Sequence, residues 1–165
     1  MSAETERLRG VARRYCKLIE SLDERSRYEF LVQVNAILPE LYRAAVALPD
    51  ESREGIDPVT DSEPGPTDVL GRIETKLADA AQYRGVFDPW APSEEAMDRS
   101  LADDLADIYQ DLSALQSETG GEVNAWDLRF AFSFHWGAHA AQAMLATHWL
   151  VHHPGERWIG PDDDG

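Results

Sequence analysis

LADDLADIYQDL, residues 101–112, is the stretch that decides the fold of this chain. Its large apolar residues recur every three or four positions, at Leu101, Leu105, Ile108 and Leu112, which is the spacing of one buried helix face. The acidic residues lie beside this stripe and not within it. The segment therefore predicts an amphipathic helix that packs against other helices.

The same periodicity predicts four further helices. The first covers about residues 4–22, the second about 30–48, the third about 69–83 and the fifth about 123–152. Pro39 lies inside the second helix and is expected to kink it, because proline lacks the backbone donor. The helix that contains residues 101–112 is then the fourth of five.

The fourth and fifth helices show further sequence features besides the apolar spacing. Ser93 is expected to cap the start of the fourth helix, and Trp90, in the VFDPW segment before it, to plug one end of a bundle. The fifth helix is apolar nearly all round, which predicts a central position.

Composition and turn residues predict a single domain. The chain has 165 residues, 43% of them hydrophobic, which is enough for one core. Prolines and acidic residues indicate a long flexible loop at about residues 49–67, and residues 154–165 form an acidic Pro/Gly-rich tail. We therefore expect an all-α, five-helix, bundle-like domain over residues 1–153, with a loose tail.

The charge limits the classes of partner. The formal net charge is −16, which disfavours nucleic acid and anionic membranes as partners because both are bound through clustered basic residues. The chain has neither an export signal nor a long apolar run, so a cytoplasmic location is expected. A protein partner is compatible with this charge, and the oligomeric state is left open.

Polar residues on the fourth and fifth helices form a candidate cluster. On a helical wheel three carboxylates follow one edge of the fourth-helix stripe: Asp104, Asp107 and Asp111. The fifth helix offers His135 and His139, four residues apart and therefore on one face.

This cluster has two explanations. A divalent metal is one, with Asp104, Asp107, His135 and His139 as ligands. Core scaffolding is the other, since the histidines share their face with apolar residues and are expected to be buried and bonded to carboxylates.

Catalytic templates are only partly matched. The spacing from Asp104 to Asp107 is similar to the acidic helix of all-helical nucleotide pyrophosphohydrolases, but the ExxE partner helix of that family is missing. No complete catalytic signature or cofactor motif occurs elsewhere. We therefore expect a noncatalytic protein-binding or adaptor domain without a cofactor, and the alternative is a metal-dependent, phosphohydrolase-like enzyme that uses the cluster.

Four segments together resemble a known bacterial family. They are LPELY at residues 38–42, VFDPW at 86–90, SLADDLADIYQDL at 100–112 and FxFHWGxH at 132–139. In this order and spacing they resemble the domain of unknown function 5063 family. The resemblance implies a small helical bacterial protein and implies no particular activity.

Overall fold

The computed structural model of the chain describes part of the sequence in detail. The described residues are 2–49, 68–86, 90, 95–114 and 125–153. The expected loop, apart from Pro49, the expected cap Ser93 and the tail at 154–165 lie outside these residues.

Five helices form the described fold. Their segments are α1 (Ala3–Glu20), α2 (Arg27–Val46), α3 (Val69–Leu77), α4 (Leu101–Ala114), α5 (Ala125–Ala131) and α6 (Gly137–His152). A π-helical turn, Phe132–Trp136, joins α5 to α6 without a break, so these segments make one long fifth helix. The expected all-α, five-helix, bundle-like fold is confirmed, apart from a short two-stranded ribbon.

Four helices enclose the core in a closed ring. α1 packs on α2, α2 on α6, α6 on α4 and α4 back on α1, while α3 covers the outside of α4. Leucines and isoleucines of the predicted stripes fill the interior, together with the larger rings of Tyr15, Phe30 and Trp136. The buried Tyr15 hydroxyl donates to the Leu105 carbonyl at 2.8 Å, so the ring satisfies its polar atom by linking α1 to α4.

Serine caps fix where the first two helices begin. The Ser2 hydroxyl accepts from the Thr5 backbone amide, and Ser26 forms a reciprocal capping box with Glu29. α2 then continues through Pro39 as one helix.

A short antiparallel ribbon lies between α3 and α4, where the end of the third helix and the start of the fourth were expected. β1 (Gln82–Gly85) pairs with β2 (Met97–Ser100). The expectation that the third helix reaches residue 83 is wrong, because α3 ends at Leu77 and a 3₁₀ turn, Ala78–Ala81, leads into β1. The expected helical start near Ser93 is also wrong: residues 97–100 are extended, and the Ser100 hydroxyl accepts from the Asp103 amide at the start of α4.

The position of the fifth helix differs from the expectation of a central helix. One side of it is buried, but Phe134, Leu145 and Trp149 are 76%, 57% and 56% exposed. Trp90, expected to plug the bundle, is 89% exposed. The apolar residues all round this helix therefore include an exposed side, because its neighbours α2 and α4 cover only the opposite side. Among the described residues, none of the helices is long and apolar enough to cross a membrane.

We expect an alkaline stability change from Tyr109, which links α4 to α1 by donating to Glu20 at 3.1 Å. Burial, followed by this carboxylate, raises the pKa of Tyr109 to about 12. Its stabilisation is complete below about pH 10, the pKa of an unfolded tyrosine, and is lost as the pH rises through 12. Relative to Tyr109→Phe, the wild type should lose about 1 kcal/mol of unfolding free energy between pH 8 and pH 11. Urea titrations of both proteins at the two pH values measure this, and parallel pH profiles would contradict it.

Candidate metal centre

The carboxylate of Asp104 is the buried centre of the polar cluster. Only 2% of this residue is exposed, although it lies on α4 beside the apolar stripe. Its Oδ2 accepts from the Tyr83 hydroxyl, and its Oδ1 accepts from Arg99 Nη2 at 3.2 Å and His139 Nδ1 at 2.8 Å. A carboxylate removed from water needs such donors, and the Arg99 guanidinium also balances its charge.

The β ribbon brings two of these donors to the carboxylate. Tyr83 on β1 and Arg99 on β2 are directly paired across the ribbon, and Arg99 Nε donates to the Tyr83 hydroxyl at 3.2 Å. β2 leads directly into α4, so Arg99, five residues before Asp104 in the chain, lies close to it in space. Burial, followed by Asp104, raises the pKa of Tyr83 well above its ordinary value, so the phenol keeps the proton that it donates.

The two histidines use the same ring atom toward α4. His139 Nδ1 lies 2.8 Å from Asp104, and His135 Nδ1 lies 2.7 Å from Asp111. An ionised carboxylate only accepts, so each Nδ1 carries a proton. Each Nε2 is therefore the atom left to bind something else, as in metal sites where a carboxylate orients a histidine ligand.

Asp107 lies between the two carboxylates in sequence and completes a three-residue group. One ligand atom each from Asp107, His135 and His139 lies within 4.8 Å of the other two. Zinc at about 2.0–2.2 Å from nitrogen and oxygen ligands would hold those atoms about 3.3 Å apart, so closure needs movements of about 1 Å. His139 Nε2 and Asp107 Oδ2 are already 3.5 Å apart.

Electrostatics favours a cation between His139 Nε2 and Asp107 Oδ2. Burial raises the pKa of Asp107, while the hydrogen bond with Asp104 raises the pKa of His139. A nitrogen lone pair and a carboxylate oxygen facing each other need a shared positive charge, which is a proton when His139 is charged. A metal ion can replace that proton, since the neutral ring and the ionised carboxylate are the forms that bind metals.

The π-helical turn determines how the histidines are presented. The Gly137 amide donates to the Phe132 carbonyl, five residues back, which is the π pattern. A π-helical turn contains more residues than an α-helical turn, so it changes the angle between His135 and His139 around the helix. His135 is 52% exposed and His139 is 21% exposed, and their rings meet edge to face at 5.1 Å. The expectation that both histidines are buried is therefore wrong for His135, and His139 is only partly buried.

The structure brings all five sequence-predicted residues together. It places Asp107, His135 and His139 as the group that could hold an ion, with Asp104 behind His139 and Asp111 behind His135. The sequence patterns did not identify Tyr83 and Arg99 as members of the site. Arg99 was the single base in an acidic run, which was a usable signal, whereas four-residue strands gave no periodic signal for Tyr83.

Fold and site together define a class: an acidic helical bundle in which the fourth and fifth helices carry a water-accessible Asp/His cluster. The chain belongs to the family described as Domain of unknown function (DUF5063), whose model matches residues 1–153. A crystal structure of protein BF1032 from Bacteroides fragilis is similar, with a TM-score of 0.73 at 23% identity, covering 94% of this chain and 97% of that one. At this identity the likeness shows the fold alone. No curated protein matches the sequence significantly.

Replacing the buried carboxylate should destabilise the fold. We expect Asp104→Asn to lower the free energy of unfolding by about 3 kcal/mol, because Arg99 and His139 lose a charged acceptor in a buried place. The matched control is Asp103→Asn, an exposed neighbour on the same helix, which should change it by less than about 0.5 kcal/mol. Urea denaturation compares the three proteins, and equal stabilities would show that Asp104 does not hold the network as an ion.

Glycine is required in the π-helical turn. A β-carbon at position 137 would lie 2.4 Å from the Phe132 carbonyl oxygen. We expect Gly137→Ala to lower the free energy of unfolding by about 1–3 kcal/mol, because the backbone must move to relieve the contact. Gly10→Ala is the control, since nothing lies within 4 Å of a β-carbon there, and a helix interior gains about 0.5–1 kcal/mol from the change. Thermal melts that moved in the same direction for both variants would contradict the close contact.

Proposed function

We propose that this protein binds a divalent transition metal through Asp107, His135 and His139. The observation that carries the proposal is the shared orientation of the two histidines. Both direct Nδ1 to a carboxylate of α4, and a third α4 carboxylate belongs to the ligand group with them. Histidine ligands of a metal almost always donate their other ring N–H to a carboxylate, a backbone carbonyl or water in this way.

Two imidazoles and one carboxylate favour zinc, manganese, iron or cobalt over magnesium and calcium, which prefer oxygen ligands. In this proposal Asp104 and Asp111 are orienting residues. The oxygens of Asp104 are occupied by Tyr83, Arg99 and His139, which makes it a poor ligand. The ligand group therefore differs from the sequence-based set by leaving Asp104 out.

The proposal extends to a reaction class. A divalent metal held by three protein ligands keeps positions for water and substrate and lowers the pKa of the water, which is the chemistry of hydrolysis. His135 and Asp107 are partly exposed, so water can reach the ligand group. This arrangement favours the metal-dependent hydrolase over the adaptor expected from sequence.

A protein-binding role is the second candidate, and the exposed side of the fifth helix favours it. Phe134, Leu145 and Trp149 are large apolar side chains left largely in solvent. Aromatic residues of this kind are enriched at protein interfaces. This role does not require a metal, so the following experiment separates the two candidates.

We expect isothermal titration of tag-free protein with Zn²⁺ or Mn²⁺ to show a binding event that His135→Ala and Asp107→Asn abolish. Asp111→Asn should keep the event but weaken it by about 10- to 100-fold, because it removes only the carboxylate that orients His135. Asp103→Asn removes one charge from the same helix without touching the ligand group, so it should bind like the wild type.

The results for these variants separate metal binding at the ligand group from an effect of net charge and from the protein-binding role. Binding that falls equally in Asp103→Asn and Asp107→Asn would reduce the effect to net charge and overturn the proposal. Failure of the wild type to bind any transition metal would also overturn it and leave the protein-binding role. Circular dichroism of each variant checks that lost binding is not lost folding.

A further inference from the structure

Two further histidines lie together at the end of α6, outside the cluster described above. His148 is on the last turns of the helix, and His153 is its C-terminal cap residue. Their Nε2 atoms are 3.3 Å apart and their ring centroids 5.2 Å apart. Both residues are exposed, and the two nitrogens form a hydrogen bond with each other.

The separation of these nitrogens is the one that a shared metal requires. Imidazole nitrogens lie about 2.0–2.1 Å from zinc, and tetrahedral angles then place them about 3.3 Å from each other. We propose that His148 and His153 form a second site for a divalent transition metal, with water as the remaining ligands. Copper, nickel and zinc are the ions that favour imidazole nitrogen.

Neighbouring contacts hold the pair in this arrangement. The Trp149 ring lies against the His153 ring, with centroids 3.7 Å apart, and so restricts its rotation. The ring of His152, the third histidine here, also lies beside His148, with centroids 5.0 Å apart, but its Nε2 is occupied because it lies 3.1 Å from the Asn35 amide nitrogen. The pair is therefore His148 with His153, and His152 serves as a control.

The second site is separate from the first. His148 follows His139 by nine residues of α-helix, a rise of about 13 Å and a rotation of about half a turn. The two sites therefore share no ligand and lie on opposite sides of α6. The net charge of −16 attracts cations to both. This inference does not depend on the proposed function of the Asp107, His135 and His139 group.

Titration of tag-free protein of residues 1–165 with Ni²⁺ tests the inference by stoichiometry. With both sites present, calorimetry and native mass spectrometry should show two bound ions. His148→Ala and His153→Ala should each reduce this to one, and His152→Ala should keep two. Cu²⁺ gives a local readout, because a paramagnetic ion at His153 should quench the fluorescence of Trp149, and Trp149→Phe should remove that part of the quenching.

Each alternative result has a definite meaning. If His148→Ala and His153→Ala bind as many ions as the wild type, the second site does not exist. If His152→Ala loses an ion while His153→Ala does not, the pair is wrongly assigned. If the wild type binds a single ion that His135→Ala abolishes, this inference fails while the proposed function stands. If the single ion is abolished by both His148→Ala and His153→Ala and not by His135→Ala, the proposed function fails and this inference stands.

Discussion

The buried carboxylate of Asp104 is the constraint on which the site depends. It binds a tyrosine from β1, an arginine from β2 and a histidine from α6 to one position on α4. An ion in the interior is stable only when donors and a counter-charge surround it. The ribbon, α4 and the fifth helix are therefore held in one relative position, and the geometry around His139 follows from that position.

Backbone geometry complements this constraint. A regular helix would turn both histidines toward the same packed face, but the π-helical turn adds a residue between Phe132 and Gly137. In this helix one histidine is partly buried against Asp104 and the other is half exposed against Asp111. π-turns of this kind occur often at functional sites, because they change the direction of a few side chains without ending the helix. A glycine at position 137 makes the close approach of the chain possible.

Much of the architecture could be predicted because helix periodicity is a local property. The stripe in residues 101–112 predicted α4, and the Asp and His spacings predicted which residues share an edge or a face. The ribbon could not be predicted in this way. Its strands have four residues each, which is too short for a periodic signal, and burial alternates along β1 but not along β2. Periodicity also failed to predict the position of the fifth helix. Because apolar residues occur all round it, the sequence does not indicate which side other helices cover.

The sequence by itself determined the helical class and the five residues of the Asp/His cluster, because hydrophobic spacing and residue type are encoded locally. Only the tertiary structure decided which contacts each member of that cluster makes. Whether an aspartate acts as an orienting residue or as a ligand depends on which donors other elements bring to it. Tyr83 and Arg99 come from strands that meet beside α4, and their hydrogen bonds occupy Asp104 and leave Asp107 facing the histidines. That division depends on contacts between residues distant in the chain, which no local pattern contains.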